Sequence, residues 1–227
     1  MKLSVVIPVL DEEAAIAATI STVLRGLEAG DELFVVDGGS RDRTVGVAEE
    51  AGVEVVASPR GRGNQMNAGA ARVSGDVLLF LHADTDLPTQ YRQELEALLA
   101  DRRVTWGRFD LLFDEAGPLL RLIAWLISAR SRLFRSATGD QAIFVRRAEF
   151  EEIGGYLEPF LFEDVDLARR LRERGRMGVP RGCVVTSSRR WRNRGVWATT
   201  LRMWTLKSLY LAGVPSARLR GHYRDER

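Results

Sequence analysis

Cysteine, lysine and long apolar runs are all scarce in this chain of 227 residues. Cys183 is the only cysteine, which excludes an internal disulfide and fits a reducing compartment. No stretch reaches 18 uninterrupted apolar residues, because even the nearest approach at 119–129 contains Arg121, so no transmembrane helix is predicted. The apolar run at 3–10 is short, contains Pro8 and leads into acidic residues, which is not typical of a signal peptide. We therefore expect a cytoplasmic protein.

Positive and negative charges nearly balance. The 33 basic and 31 acidic residues leave a net charge of +2, so no nucleic-acid partner is predicted. Lysine occurs only at Lys2 and Lys207, and arginine supplies the rest of the positive charge. Arginine suits bidentate contacts to phosphate, but genomic composition produces the same bias. The length and the ordinary hydrophobic fraction of 45% predict one α/β domain over residues 1–227.

Strand and helix patterns alternate through the first half. Apolar runs predict four strands, at 3–9, 32–36, 53–57 and 76–81. Apolar residues at helical spacing predict helices between them, at 13–27, 44–51 and 63–72. Continuous apolar strands joined by helices indicate a mainly parallel sheet that is covered on both faces. Ligands of such sheets bind beyond the carboxyl ends of the strands.

The second half is less regular. Helices are predicted at 88–99, 118–134, 148–153, 168–174 and 196–212, and strands at 106–113, 141–146 and 179–186. The helices at 118–134 and 196–212 combine apolar faces, tryptophans and arginines. They allow a peripheral membrane contact, a homodimer interface or core packing. The basic tail after Arg218 contains His222, which could reach a bound metal or stay solvated.

Carboxylates follow three of the predicted strands. Asp11 could cap the first helix, and Asp37 could accept hydrogen bonds from a base or close an Asp-Gly-Gly turn. Asp84 stands where a strand delivers a carboxylate to a ligand cleft, although the segment Thr85-Asp86-Leu87-Pro88 could instead be just a helix entry. Mg²⁺ commonly binds through one or two carboxylates plus phosphates. No G-x-G-x-x-G follows the first strand, which argues against a dinucleotide fold.

A loop rich in glycine and arginine precedes the third helix. Its sequence, Arg60-Gly61-Arg62-Gly63, offers open backbone amides, a helix N-terminus and guanidinium forks, which suit a phosphate group. It lacks the Gly-Lys-Ser/Thr of a Walker A loop, and an ordinary loop remains the alternative.

Two adjacent carboxylates, Glu163 and Asp164, are the most informative pair in the chain. They follow an apolar stretch and open a predicted helix. A carboxyl group beside apolar side chains has a raised pKa and can accept a proton from a hydroxyl. The alternative is N-terminal capping with compensation of the helix dipole.

Taken in order, these motifs resemble bacterial family 2 glycosyltransferases of the GT-A fold, over roughly residues 2–195. The resemblance rests on six segments, which are Val6 to Glu12, Val36 to Thr44, Leu81 to Thr85, Gly139 to Gln141, Gly154 to Tyr156 and Phe162 to Leu167. The sequences His-Ala-Asp-Thr and Arg189-Arg190-Trp191 also resemble a small subgroup named for arsenosugar biosynthesis.

The resemblance implies a role for each matching position. Asp164 would be the general base with Glu163 beside it, and Asp84 would bind Mg²⁺ or Mn²⁺. The nucleotide and donor sugar would lie near Pro8, Val9, Asp11, Asp37, Gly39, Arg60, Gly63, Ala83, Gly139, Asp140, Gln141, Arg190 and Trp191. Residues 1–87 would form the nucleotide-binding half, 88–195 the acceptor half, and 196–227 a C-terminal helix and tail. The donor would be a UDP-sugar or a GDP-sugar, and the acceptor a hydroxyl.

Two departures from the family pattern refine this expectation. The usual Asp-x-Asp reads His82-Ala83-Asp84, so the first acidic position is lost. The Gln-x-x-Arg-Trp of processive synthases reads Ser-Ser-Arg-Arg-Trp at 187–191, so its Gln is replaced. We therefore expect a metal-dependent, inverting and non-processive transfer. The alternatives are a sugar-phosphate nucleotidyltransferase, which usually carries a Gly-rich Arg/Lys loop that is absent here after the first strand, and a non-catalytic nucleotide-binding protein.

Overall fold

The computed structural model describes residues 1–115, 117–157 and 161–220. Within these ranges it leaves out the side chains of Arg190, Asn193, Arg194, Leu211, Ala217 and Arg220. His222 and the side chain of Arg190, both singled out above, therefore lie outside the described part of the chain.

Strands and helices alternate along the described chain. The strands are β1 (Leu3–Val9), β2 (Glu32–Asp37), β3 (Glu54–Ala57), β4 (Val77–Phe80), β5 (Thr85–Asp86), β6 (Val104–Gly107), β7 (Asp110–Phe113), β8 (Ile143–Arg146), β9 (Arg176–Gly178) and β10 (Cys183–Thr186). The helices are α1 (Ile16–Leu24), α2 (Thr44–Glu50), α3 (Arg62–Ala70), α4 (Tyr91–Leu99), α5 (Pro118–Leu133), α6 (Arg147–Glu152), α7 (Glu163–Leu171), α8 (Arg189–Arg194), α9 (Val196–Leu211) and α10 (Ser216–Arg220). A 3₁₀ turn at Gly139–Gln141 precedes β8.

Seven of these strands form one sheet, in the order β3-β2-β1-β4-β8-β6-β9. Strands β1, β2, β3 and β4 pair in parallel with one another, whereas β8 runs antiparallel to both β4 and β6. A smaller sheet has the order β5-β10-β7. Apolar clusters cover both faces of the large sheet, one with α1 and α4 and the other with α3 and α7. The predicted α/β class with a mainly parallel sheet is confirmed.

The sheet opens a crevice between β1 and β4. The two strands pair only as far as Val6 opposite Phe80, whereas β1 continues along β2 until Val9 lies opposite Asp37. The chain leaves β1 toward β2 on one side and returns in β4 on the other, and ligands bind at such a switch point. Pro8 is tolerated in this central strand because the pairing with β4 has already ended.

The predicted strand at 106–113 is wrong as one element. It divides into β6 and β7, which belong to different sheets. Arg108 lies at the break, fully buried, and donates hydrogen bonds to the carbonyl oxygens of Phe109 (3.0 Å) and Ser128 (2.9 Å). It also pairs with Asp110. A buried guanidinium with these partners holds the corner where the chain leaves one sheet for the other.

Other boundaries also differ from the predictions. The strand predicted at 179–186 begins only at Cys183, and α1 occupies 16–24 rather than 13–27. Asp11 does not cap α1, because Ala15 holds the N-cap position without a side-chain hydrogen bond. Helix α7 begins at Glu163, five residues before the predicted start, so the acidic pair forms its first turn. Strands β5 and β9 and helices α8 and α10 were not predicted.

None of the helices in the described ranges is both long enough and apolar enough to span a membrane.

Candidate active site

A cavity of about 230 Å³ lies at the carboxyl ends of β1 and β4. The end of β1 contributes Pro8 and Val9, and the segment after β4 contributes residues 82–84. The 3₁₀ turn, the start of α7 and one face of α9 form further parts of the wall, together with residues of α3, α5, β10 and α8. The crevice of the parallel sheet is thus closed over by elements from the second half of the chain.

Asp164, in the first turn of α7, lines this cavity. Its Oδ2 accepts a hydrogen bond from the backbone N–H of Gly139 (2.6 Å), and its Oδ1 accepts one from that of Val165 (2.7 Å). Burial raises the pKa of this carboxyl above its ordinary value of 3.8, and it outweighs the opposing effects of Lys207 and the two backbone donors. A carboxylate with a raised pKa is a better proton acceptor than a fully solvated one.

The backbone just before Asp164 is strained. Phe162 has φ 62°, in the left-handed region that bulky residues rarely adopt. Its ring stacks on Tyr210 of α9 with a centroid separation of 4.8 Å, and it packs with Leu161 and Leu206 in a small apolar cluster. Packing from α9 therefore offsets the strain in the turn that leads into the acidic pair.

A close contact fixes the turn that donates to Asp164. A Cβ atom on Gly139 would lie only 2.3 Å from Nε2 of His82, so no other residue fits there without a shift. Gln141 supports the same turn from behind, since its Oε1 accepts hydrogen bonds from the backbone N–H of Thr138 (3.1 Å) and the hydroxyl of Ser131 (3.0 Å). Gln141 is fully buried and does not line the cavity.

Glu163 differs from its neighbour in its surroundings. It is buried, and its Oε1 lies 4.0 Å from a guanidinium nitrogen of Arg62 in the first turn of α3. Both side chains line the cavity. Arg60, in the loop that was predicted to cradle a phosphate, is exposed and does not line it. The arginine that this loop brings to the cavity is therefore Arg62.

Two cations face the acidic groups across the cavity. Burial lowers the pKa of Lys207 on α9 to about 8, an effect that the neighbouring Arg130 reinforces and that Asp164 and Asp140 oppose. Burial also lowers the pKa of Arg130 on α5. Two cations close together where little water reaches them repel each other. Binding an anion beside the pair is therefore favourable.

Asp84 lies in the wall beside a third cation. One guanidinium nitrogen of Arg189 lies 3.7 Å from Oδ2 of Asp84 and donates a 3.0 Å hydrogen bond to Oε2 of Glu12. No group of three or more His, Cys, Asp or Glu side chains able to hold a metal occurs among the described residues. One partly exposed carboxylate at a phosphate-sized cavity still fits a divalent cation that takes its other ligands from phosphates and water.

The loops after β1 and β2 are tied to each other. The carboxylate of Asp37 accepts hydrogen bonds from the backbone N–H groups of Gly39 (3.0 Å) and Ser40 (3.0 Å), which closes the Asp-Gly-Gly turn. Asp11 Oδ1 accepts one from the N–H of Arg41 (2.7 Å). These two carboxylates thus shape the loops and do not line the cavity.

Gln65 of α3 bridges the ends of the same two strands, β1 and β2. Its Nε2 donates to the carbonyl oxygens of Val9 (2.7 Å) and Val36 (2.8 Å). A Cβ atom on Gly38 would lie 3.0 Å from the amide group of Gln65, so glycine lets this side chain pass beneath the turn. The buried amide thus ties the end of β1 to the end of β2, and the carbonyl of Val9 also accepts a hydrogen bond from the backbone N–H of Gly38 (3.0 Å).

The Gly154-Gly155-Tyr156 motif holds α7 in place and is not part of the cavity wall. The side chain of Asn67 donates to the carbonyl oxygen of Tyr156 (2.8 Å) and accepts from its N–H (2.9 Å). Arg170 of α7 donates to the carbonyl oxygen of Gly155 (2.7 Å). The motif therefore fixes the helix that carries Asp164 against the large sheet.

The structure brings one group of the predicted site residues together and leaves another outside. The cavity wall contains Pro8, Val9, Ala83, Asp84, Gly139, Asp140, Glu163, Asp164 and Trp191. Asp11, Asp37, Gly39, Arg60, Gly63 and Gln141 lie outside that wall. Trp191 packs edge-on against Phe113 with centroids 5.5 Å apart.

Sequence reasoning missed several polar residues of the wall. Among them are Glu12, Gln65, His82, Arg130, Arg189 and Lys207, whereas Arg62 belongs to the loop that was predicted to hold a phosphate. The rarity of lysine was a usable signal for Lys207, and Arg189 stands beside the Arg-Trp pair. Gln65 and Arg130 carried no local signal, because their place depends on contacts with distant segments.

Comparison with known families and proteins places this geometry in context. The family model described as Glycosyl transferase family 2 matches residues 4–145. A PGL/p-HBAD biosynthesis glycosyltransferase of Mycobacterium bovis is 30% identical over 162 residues, which are 67% of this chain and 62% of that protein. The probable glycosyltransferase YdaM of Bacillus subtilis is 27% identical over 194 residues, 75% of this chain and 46% of that protein. The chain thus spans less than two thirds of the length of these relatives.

Solved structures share the fold at low identity. A Staphylococcus aureus TarS structure (residues 1–349) in complex with UDP-GlcNAc superposes with a TM-score of 0.68 at 16% identity, covering 82% of this chain and 58% of that one. Glucosyl-3-phosphoglycerate synthase from Mycobacterium tuberculosis, in complex with Mn²⁺, UDP and phosphoglyceric acid, gives 0.66 at 22% identity, covering 94% and 79%. Both have the GT-A type of fold, with a mainly parallel sheet flanked by helices.

Proposed function

Since the chain belongs to glycosyl transferase family 2, we propose that it transfers a sugar from a nucleoside diphosphate sugar to an acceptor hydroxyl. A UDP-sugar is the favoured donor, because the TarS structure and the M. tuberculosis synthase are complexes with UDP-GlcNAc and UDP. The transfer is inverting and non-processive. Residues 1–87 bind the nucleotide, and 88–195 form the acceptor side.

One observation carries this proposal. A single cavity combines a carboxylate of raised pKa, Asp164, with the closely placed cations Arg130 and Lys207. Buried polar atoms of its wall, Oδ1 of Asp140 and Oγ1 of Thr199, have no hydrogen-bond partner among the described residues. A ligand that is both anionic and polyhydroxylated satisfies these groups, and a sugar diphosphate has both properties.

Asp164 supplies the base in this reaction. Its carboxylate takes the proton of the acceptor hydroxyl while that oxygen attacks the anomeric carbon. The bond from this carbon to the diphosphate oxygen breaks, and the electron pair leaves with the nucleoside diphosphate. The backbone N–H groups of Gly139 and Val165 hold the carboxylate in one orientation. Attack from the face opposite the leaving group inverts the configuration.

Cations of the wall stabilise the departing diphosphate. Arg130 and Lys207 meet the negative charge that grows on the leaving oxygen, and Arg189 lies near Asp84 to meet the same group. Asp84 would hold a divalent Mg²⁺ or Mn²⁺ ion together with the donor phosphates. When bound, that ion supplies further positive charge at the diphosphate.

Nucleotide binding and turnover together test the proposal. We expect calorimetry to detect UDP or a UDP-sugar, with GDP-sugars as the comparison, and Mn²⁺ to strengthen binding in the wild type but not in Asp84→Ala. The matched control is Asp42→Ala, which removes an acidic side chain that does not line the cavity. Turnover is then measured as the release of UDP when the protein is incubated with a UDP-sugar and a panel of acceptors. Pyrophosphate release from a nucleoside triphosphate would instead indicate a nucleotidyltransferase, and binding without any turnover a non-catalytic role.

The narrower resemblance concerns the acceptor and the pathway. The His-Ala-Asp-Thr segment at 82–85 and the Arg-Arg-Trp at 189–191 favour the subgroup named for arsenosugar biosynthesis. Transfer to an arsenic-containing hydroxyl acceptor, but not to common sugar acceptors, would support this assignment.

A further inference from the structure

Two helices that line the cavity also carry exposed apolar stripes. On α5 the stripe consists of Leu119, Leu122, Trp125, Leu126 and Leu133, and on α9 it consists of Trp197, Leu201 and Trp204. Trp125 is 64% exposed and Trp197 is 74% exposed. The α9 members, and Leu119, Leu122 and Leu126 on α5, are spaced three or four residues apart. Leu133 lies seven residues, about two turns, beyond Leu126, so each stripe follows one face of its helix. Scattered apolar side chains are normal on a surface, but continuous stripes with tryptophans indicate a binding face.

Each stripe borders the cavity. Trp204 belongs to the α9 stripe and also lines the cavity, and Ile127 and Arg130 of α5 line it next to the stripe on that helix. A surface that covers the two stripes would therefore face the opening through which an acceptor enters.

The charges on α5 and α9 indicate what kind of surface covers the two stripes. Neither α5 nor α9 contains an acidic residue, whereas outside the cavity they carry Arg121, Arg132 and Arg202, of which Arg132 also pairs with Asp110 (2.6 Å). The sequence has no Asp or Glu at all between Arg174 and Arg224. In a twofold dimer the same patch meets itself, so these helices would bring cation against cation. An anionic lipid surface instead matches both the apolar stripes and the arginines.

We propose that the outer faces of α5 and α9 bind the surface of an anionic lipid bilayer and turn the cavity mouth toward it. Tryptophan and leucine side chains enter the boundary between headgroups and acyl chains, while the arginines contact lipid phosphates. Resting on the proposed glycosyl transfer, the same arrangement assigns the acceptor hydroxyl to a molecule anchored in that bilayer.

Flotation with lipid vesicles tests the surface directly. The wild-type chain should float with phosphatidylglycerol vesicles but not with phosphatidylcholine vesicles, and about 0.5 M salt should weaken the binding. Leu126→Glu should lower the affinity about tenfold, since it removes apolar burial and adds a negative charge. Leu24→Glu is the matched control, because Leu24 on α1 is 45% exposed and Leu126 is 46% exposed.

UDP binding by calorimetry, run on the same samples, separates this inference from the proposed function. Vesicle binding that Leu126→Glu loses and Leu24→Glu keeps, with UDP binding intact in both variants, supports the membrane surface. Absence of flotation with phosphatidylglycerol, or equal loss in both variants, would overturn it while the glycosyl transfer stands. A wild-type dimer that Leu126→Glu dissociates would overturn it in favour of a second copy of the chain. Flotation without UDP binding would instead count against the proposed function alone.

Discussion

Replacing Lys207 by methionine should stabilise the protein at neutral pH. Burial in the cavity, reinforced by the nearby charge of Arg130, lowers the pKa of this ammonium group from 10.5 to about 8. At about 1.4 kcal/mol for each pH unit, this lowering corresponds to at most about 3 kcal/mol of lost folding free energy. Methionine has a similar length and no charge, so Lys207→Met removes that penalty.

The sign of the effect gives it a defined pH window. Below about pH 8 the lysine is charged in both the folded and the unfolded chain, and the penalty is fully present. Between about 8 and 10.5 the unfolded chain binds more protons than the folded one, so the stability of the wild type rises with pH. The advantage of Lys207→Met should therefore be largest at pH 6.5 to 7.5 and should shrink toward pH 10.

Urea denaturation without nucleotide, followed by circular dichroism from pH 6.5 to 10, measures the difference. Arg202→Met on the same helix is the control, because Arg202 does not line the cavity and arginine stays charged throughout this range. A Lys207→Met variant that is less stable than the wild type at pH 7, or a difference that does not change with pH, would refute the reasoning. The same variant should bind UDP about 10- to 100-fold more weakly, because it lacks a charged hydrogen-bond donor for phosphate.

Three further changes test the neighbouring groups. Asp164→Asn should lower the transfer rate by about 10²- to 10⁴-fold with little change in UDP affinity. The wild-type rate should fall as pH drops through the raised pKa of Asp164, since only the ionised carboxylate accepts a proton. Near-normal turnover of the variant would exclude this residue as the base. Gly139→Ala should slow transfer at least about tenfold by displacing the turn that orients the carboxylate of Asp164. Adding His82→Ala should recover part of the loss, because the new Cβ collides with the His82 ring. Equal rates with and without the second change would contradict the contact. Arg189→Gln should raise the affinity for Mn²⁺, measured by calorimetry, about 2- to 5-fold, because it removes a cation that competes with the metal for Asp84. An unchanged Mn²⁺ affinity would show that the arginine does not compete.

Sequence reasoning located the strand-end residues well. Continuous apolar runs fix where β1, β2 and β4 lie, and the residues that follow them must then stand at one edge of the sheet. Asp84 lines the cavity for this reason. Asp37 stands at the same edge, and its carboxylate accepts hydrogen bonds from the backbone of its own turn, whereas its role toward a base stays a prediction.

Elements in the second half were harder to predict because their boundaries depend on distant partners. The alternating pattern at 106–113 is that of one strand, and only the burial of Arg108 against Ser128 of α5 explains why it divides between two sheets. Gln141 lies in a motif that resembles the family's donor site, yet the structure turns its side chain away from the cavity to support the 3₁₀ turn.

The sequence by itself determined the α/β class, the succession of β1 to β4 and the identity of the acidic pair, because these follow from local periodicity and from the ordered motifs. Only the tertiary structure decided which charges meet. Lys207 and Arg130 are far from Asp164 in the chain but share its cavity. A pKa depends on how much water and which charges surround a group, and both are set by packing between remote segments. For that reason the raised pKa of Asp164 and the lowered pKa of Lys207 belong to the fold and not to either residue alone.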